Sequence, residues 1–230
     1  MDAASYDQWY DTPRGRWIGR REAALILSRL QPRSGESLLD VGCGTGYFTR
    51  ALAASLQGAV AGVDLSPERV EYARGRDPGR ASYAVADARA LPYPDASFDL
   101  VMSIASLCFI DDEAAAIREA VRVSRRRVAF GLLNRHSLLW RAKGRGADGG
   151  YQGAHWHTVH EARDLFRGQP VRGLQVCTAV QFPGGGWLAR LVEGACPASL
   201  PFGAFILVVA DIAAPASAPG ASDAAGLAHQ

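Results

Sequence analysis

Asp40, Gly42, Gly44 and Gly46 stand in the run Leu-Leu-Asp-Val-Gly-Cys-Gly-Thr-Gly at 38 to 46, an apolar stretch ending in an acid and three alternating glycines. Such a run describes a strand that turns tightly into a helix, with Cβ atoms missing where the backbone needs unusual dihedrals or where a ligand lies against it. The helix start that follows presents unpaired N–H groups. A plain βα turn with flexible glycines would look the same taken alone. The second residue able to do chemistry is Asp64, which ends the apolar stretch Ala59-Val-Ala-Gly-Val-Asp64. It falls about 20 residues beyond the glycines, where an acid accepts ribose hydroxyls in nucleotide-binding βαβ units. Dehydrogenases of that kind usually carry G-x-G-x-x-G, whereas this run is G-x-G-x-G with Tyr47 in place of the last glycine, so a nicotinamide ligand is disfavoured.

A third segment, Tyr83-Ala-Val-Ala-Asp87-Ala-Arg-Ala-Leu-Pro, is followed by Ser97-Phe-Asp99-Leu-Val. The four motifs in this order, over roughly residues 36 to 130, resemble the class I S-adenosylmethionine-dependent methyltransferases typified by ubiquinone, menaquinone and biotin biosynthesis enzymes. The resemblance implies that Gly42, Gly44 and Gly46, with Cys43 between them, line the methionyl part of the cofactor. It assigns Asp64 to the ribose hydroxyls, and Asp87 with Ala88 to the adenine. Asp40 would orient the loop or the cofactor amino group. Leu65 would pack against adenine or close the core, and Ser103, at the end of the fourth strand, joins the cofactor set. Both acids have a competing account as caps: Ser66-Pro67-Glu68 after Asp64 reads as a helix start with Pro at its first position.

The elements that must position these residues alternate. Helix 18 to 30 leads to strand 37 to 41, helix 46 to 56, strand 59 to 64, helix 67 to 75, strands 81 to 86 and 98 to 104, helix 111 to 124 and strand 126 to 133. Thr158-Val-His-Glu161 is a capping-box start for helix 159 to 167, with strands 174 to 182 and 203 to 212 after it. Alternation of this kind builds an α/β fold with a parallel sheet and helices on both faces. The resemblance makes it a Rossmann-like, seven-stranded sheet whose last strand is antiparallel and inserted between the fifth and sixth. Domain boundaries are expected at 1–35 (an N-terminal helical lid segment), 36–212 (the methyltransferase domain) and 213–230 (a disordered tail of Ala, Pro, Ser and Gly).

With 230 residues, a net charge of +2 and Lys143 as the only lysine, the chain suits one enzyme-sized domain and gives little support for nucleic acid as partner. Cys43, Cys108, Cys177 and Cys196 form no C-x-x-C pair, which argues against a zinc site and fits a reducing cytoplasm. No apolar stretch approaches the ~20 residues that span a bilayer, so a soluble, cytoplasmic chain is expected. The Arg125-Arg126-Arg127 run reads as cations complementing the dipole at the end of helix 111 to 124.

Residues just after the strands are where chemistry belongs in such a sheet. The fourth strand ends in Ser103-Ile-Ala-Ser106 without the N-P-P-Y or D-P-P-Y of amino-methylating enzymes, leaving O-, C-, S- or other N-methylation of a small, largely apolar or aromatic acceptor. His136, after the fifth strand, is the candidate base. Trp156 and His157 are candidate substrate contacts, and no metal is expected, because His155, His157 and His160 cannot share one helix face. Tyr6, Trp9 and Tyr10 would fold over the cofactor as a lid, or else pack as a short amphipathic helix. The glycine-rich stretch 141 to 151 reads as a substrate gate or a solvated insertion, and Trp187 as an apolar pocket wall. The expected function is a methyltransferase (EC 2.1.1.-). The alternatives are a non-catalytic cofactor-binding or assembly protein and an RNA methyltransferase.

Overall fold

The computed structural model describes residues 2–144 and 150–213. Its strands are β1 Leu38–Val41, β2 Val60–Asp64, β3 Ser82–Val85, β4 Phe98–Ile104, β5 Ser124–Leu133, β6 Val171–Ala179 and β7 Phe205–Ile212. They join in one sheet of order β3-β2-β1-β4-β5-β7-β6. The first five run parallel, and β7 is antiparallel to both β5 and β6. The α/β class, the strand set and the inverted last strand are thus as the sequence and its resemblance led one to expect.

Period-two alternation divides the core between the two faces. Leu38 and its register partner Leu100 face the helices α2 Pro13–Leu30 and α3 Tyr47–Ala53, packing with Ile26, Leu30 and Leu52. Leu39 and Val101 turn the other way, toward Ile117 of α5 Glu113–Val123 and toward Phe130. A one-residue slip would exchange the two sets, so the register is fixed by burial on both faces. The helix starts carry the chemistry read from the sequence. Ser66 caps α4 Pro67–Arg76 with Pro67 at its first position, and Thr158 and Glu161 close a full capping box on α6 Val159–Asp164. Among the described residues no helix is long and apolar enough to cross a membrane.

The N-terminal segment divides in two. α2 shares the sheet's core through Ile18, Ile26 and Leu30, while α1, Ala3–Asp11, lies over the glycine-rich loop. The arginine run is corrected: these residues open β5 rather than ending α5, and each meets a carboxylate, Arg125 with Asp99, Arg126 with Glu36 and Arg127 with Asp211. The stretch between the last two strands contains α7, Trp187–Ala195, a helix that the sequence reading did not place. Its start was hidden because three glycines precede it and no side chain caps it. Glu193 of α7 is buried and accepts the backbone N–H groups of Val180 and Gln181, which fixes the turn after β6. Trp187 is 79% exposed on this helix and walls no cavity described below, so the pocket-wall expectation does not hold. The expected tail begins at Ala213, and the rest of it lies outside the described residues, as does most of the expected gate. Of the latter, a π-helical turn at Trp140–Gly144 and the returning residues from Gly150 are described.

Candidate active site

The sheet order reverses between β1 and β4, and a cavity of about 750 Å³ lies over the carboxyl ends of the strands there. Its floor is the loop after β1 (Gly42, Cys43, Gly44, Thr45). Its walls are Asp64, Leu65 and Ser66 after β2, Ala86, Asp87 and Ala88 after β3, and Ala105 and Ser106 after β4.

Each glycine of the run has a separate reason. At Gly42, with φ +73°, a Cβ would stand 2.4 Å from the Cβ of Ser106, so the two loops could not cross. Gly44 borders the cavity, and a Cβ there would meet no protein atom within 4 Å; the space it leaves is open to a ligand. Gly46 is not in the wall. It caps α3 in the left-handed region, and a Cβ would press on Arg50, Tyr83 and Ala73, so its role is packing rather than the cofactor contact expected.

Asp64 is buried at the rim of β2 and joins two loops: Oδ2 accepts the Gly44 N–H at 2.8 Å and Oδ1 the Ser66 N–H at 3.0 Å. The capping of α4 falls instead to the Ser66 hydroxyl. A carboxylate offers about four acceptor positions, so two remain for hydroxyls in the cavity. Asp87 sits at the outer wall with its carboxylate held by Nε and Nη2 of Arg89, whose hydrogen bonds lower its pKa. Leu65 is 65% exposed, an apolar face presented to the cavity rather than to the core. The Cys43 thiol is pushed up by burial and stays neutral.

Asp40 and Ser103 do not reach the wall. Asp40 is buried beneath the loop, accepting the Thr49 hydroxyl at 2.6 Å, and so ties β1 to α3. The Ser103 hydroxyl pairs with that of Ser106 at 2.6 Å, and Ser106 is the serine that borders the cavity. Ala105 between them is left-handed, φ +53°, a conformation costing about 1–2 kcal/mol in an L-residue. It sharpens the turn at the tip of β4, where a reacting group would pass.

Burial pushes the Asp40 carboxyl up to about 7, with Thr49 opposing the rise and Asp64 adding to it. The folded protein therefore keeps a proton that the unfolded chain has already released from about pH 4 upward, and stability falls as pH rises toward 7. Asp40→Asn should flatten thermal melting temperatures over about pH 4 to 8. An unchanged slope would remove Asp40 as the source.

α1 closes the cavity from above. Tyr6 and Tyr10 border it, and Tyr10 stacks on Tyr47 with centroids 3.7 Å apart and planes 13° from parallel. One helix thus both packs against the start of α3 and borders the cavity. Asp7, which sequence reasoning passed over, anchors it: 4% exposed, it accepts Thr45 Oγ1 at 3.0 Å, Arg50 Nη2 at 3.0 Å and Arg76 Nη2 at 3.3 Å.

A second cavity, about 180 Å³, adjoins the first and shares Tyr6, Tyr10, Ala105, Phe109 and Gly150 with it. Trp9 borders this one, with Ile18, Leu133, Leu139, Val180 and Phe205, and Glu22 is the carboxylate in its wall.

The remaining expectations fail on geometry. His136 is exposed, its backbone N–H bound by the Asn134 side chain, and it borders neither cavity. His157 is turned away, its Nε2 3.1 Å from Glu113 Oε2 while its backbone bridges Leu133 and Arg135. Trp156 stands behind Tyr151, ring centroids 5.3 Å apart, and borders neither cavity. Backbone pairing at His136 and His157, the Glu113 carboxylate beside His157 and the ring of Tyr151 beside Trp156 decided these positions, none of which a histidine-and-aromatic reading of the sequence registers.

The strand order and the inverted seventh strand are those of the class I methyltransferase fold. Residues 39–130, somewhat less than half of the chain, match the family model described as "Methyltransferase domain". It is 38% identical over 113 residues to an O-methyltransferase of Penicillium expansum, covering 47% of this chain and 41% of that one. It is 34% identical over 193 residues to an uncharacterized protein of Mycobacterium tuberculosis, covering 80% and 63%. The chain thus spans less than two thirds of these relatives' own lengths. Among solved structures it is similar to a Thermotoga maritima protein described as an S-adenosylmethionine-dependent methyltransferase and possible histamine N-methyltransferase. The TM-score is 0.66 at 22% identity, covering 90% of this chain and 94% of that chain, a likeness of fold.

Proposed function

We propose that the chain transfers the methyl group of S-adenosylmethionine to a small, largely apolar acceptor. The observation that carries this is the Asp64 carboxylate joining the Gly44 and Ser66 loops at the wall of a cavity over the β1–β4 switch. The residues fit the cofactor. Gly44 leaves room for the methionyl chain beside Gly42 and Cys43, Asp64 keeps acceptor positions for two ribose hydroxyls, Ala88 and Leu65 offer apolar surface to the adenine, and Asp87 reads its edge from the rim. Bound, the sulfonium supplies an activated methyl group. The chain's own residues align the acceptor, and Tyr6 and Tyr10 exclude water and offer aromatic faces to a cation. Four free cysteines accord with a cytoplasmic setting. An RNA substrate is disfavoured because arginines such as Arg122, Arg125, Arg126 and Arg127 are paired with carboxylates.

Calorimetric titration with S-adenosylmethionine, S-adenosylhomocysteine, NADH and NADPH tests the reading. Saturable binding at about micromolar Kd for the two sulfur ligands alone is expected. A preference for a nicotinamide cofactor, or binding of none, would overturn it.

A further inference from the structure

The smaller cavity contains an anomaly. On α2 the positions Ile18, Glu22, Ile26 and Leu30 recur every fourth residue and so form one stripe. Ile18 is 7% exposed, and Ile26 and Leu30 are fully buried, yet an ionisable carboxyl stands among them. An acid in an apolar stripe costs free energy unless it is paired. Among the described residues Glu22 has neither a hydrogen bond nor an ion pair, although arginines lie before it and after it on the same helix. Glu22, half-buried, lines a cavity whose walls are otherwise mostly aromatic and aliphatic, among them Trp9, Leu133, Leu139, Val180 and Phe205, with Arg14 at the margin. Across the shared wall of Tyr6, Tyr10, Ala105 and Phe109 lies the larger cavity. A cavity of about 150 Å³ can hold a benzene ring, so about 180 Å³ is the scale of one aromatic ring.

We propose that the smaller cavity seats an aromatic acceptor bearing an acidic hydroxyl, a phenol or its equivalent, and that the Glu22 carboxylate receives the hydroxyl proton during methyl transfer. This rests on the reading of the larger cavity as the S-adenosylmethionine site. In the step, an oxygen lone pair of the acceptor forms the new O–CH₃ bond while the S–CH₃ bond of the donor breaks. The S–C electron pair stays on sulfur, which ends as a neutral thioether. The acceptor proton passes to Glu22, leaving an aryl methyl ether and a neutral carboxyl that loses its proton to solvent before the next turnover.

The surroundings tune Glu22 for this task. Burial pushes its carboxyl up to about 8, closer to a phenol at about 10 than an ordinary glutamate would be, and proton transfer is most effective between groups of similar acidity. The titratable groups around it are Tyr6 and Tyr10 of α1, Tyr47 of α3 and Tyr151 of the loop, and all four have pKa values raised by burial. The tyrosines therefore stay neutral through the range in which Glu22 ionises. Arg14, two turns earlier on α2, is exposed at the margin of the cavity, where it can meet an anionic substituent of the acceptor.

The test uses the full chain with S-adenosylmethionine and three phenols of rising acidity: phenol, 4-chlorophenol and 4-nitrophenol. S-adenosylhomocysteine and the aryl methyl ether are quantified by mass spectrometry, and cofactor affinity and melting temperature are measured alongside. For the wild type, kcat/KM should rise with pH through an apparent pKa near 8. Glu22→Gln should keep its melting temperature and cofactor affinity, lose this pH limb, and lose turnover of phenol by on the order of 10²–10⁴-fold. It should lose less with 4-nitrophenol, which is far more acidic than phenol and already partly ionised at neutrality, a graded response that a merely structural role would not produce. Turnover by Glu22→Gln within about threefold of wild type for every phenol would overturn the role of Glu22. Intact cofactor binding without any methyl ether would overturn the acceptor class. Absence of cofactor binding by the wild type would instead remove the reading on which both depend.

Discussion

Asp64→Asn should leave the chain folded and weaken S-adenosylmethionine binding by about 100-fold or more, equivalent to about 2.7 kcal/mol. The carboxylate accepts a backbone N–H from each of two loops, Gly44 at 2.8 Å and Ser66 at 3.0 Å. An amide has one oxygen and one NH₂, so whichever way it turns, one of these N–H groups faces a donor. A lost hydrogen bond to a charged group costs about 1.5–3 kcal/mol, and the loop that moves is the one on which the methionyl chain would lie. The remaining amide oxygen cannot also serve two ribose hydroxyls. Binding is expected to suffer more than folding because the strand beneath is held by its neighbours on both sides, β1 and β3. Calorimetry with S-adenosylmethionine, paired with a melt of the free chain, separates the two effects. Wild-type affinity in a folded Asp64→Asn protein would refute the ribose assignment.

The sequence made the larger cavity legible because glycine and acid placement there answers to backbone geometry. Gly42 is forced by the crossing of Ser106, and Asp64 is held by the two N–H groups that its carboxylate accepts. The strands were legible for a related reason, since residues such as Leu38 and Leu39 face opposite, equally dry sides. Choices among similar side chains were not. Ser103 and Ser106 are three residues apart, and only the left-handed turn at Ala105 decides which of them meets the cavity. His136 and His157 lost their expected roles to local backbone pairing around Asn134 and to Glu113, a partner 44 positions away from His157. Two signals were present but unread. Glu22 interrupts the apolar stripe of α2, and Asp7 falls among the aromatics of α1, three residues before Tyr10. An acid on the apolar side of a helix is itself a sign of a buried partner or a ligand.

Asp7→Ala should release α1. Asp7 is 4% exposed and is the common acceptor for the Thr45 hydroxyl and for two guanidinium groups, those of Arg50 and Arg76. Removing one member of a buried ion pair costs about 3–5 kcal/mol. Arg76 has a side chain 52% exposed, and Arg50 keeps a second acceptor in the Thr45 carbonyl, so solvent recovers part of the loss and about 2–3 kcal/mol is expected for the variant. That loss falls unevenly. α2 is fastened to the sheet by Ile26 and Leu30, whereas α1 depends on Asp7 and on the stacking of Tyr10 against Tyr47. Local opening of α1 should therefore rise before global unfolding does. Hydrogen exchange of the α1 amides ought to accelerate by about 10-fold or more, with the β1 and β4 amides changing only as the global stability does. As Tyr6 and Tyr10 leave the wall they share with both cavities, the cofactor would dissociate faster and the acceptor cavity would lose one side. Unchanged α1 exchange would show that aromatic packing alone holds α1, and that the buried acid serves the glycine-rich loop through Thr45 instead.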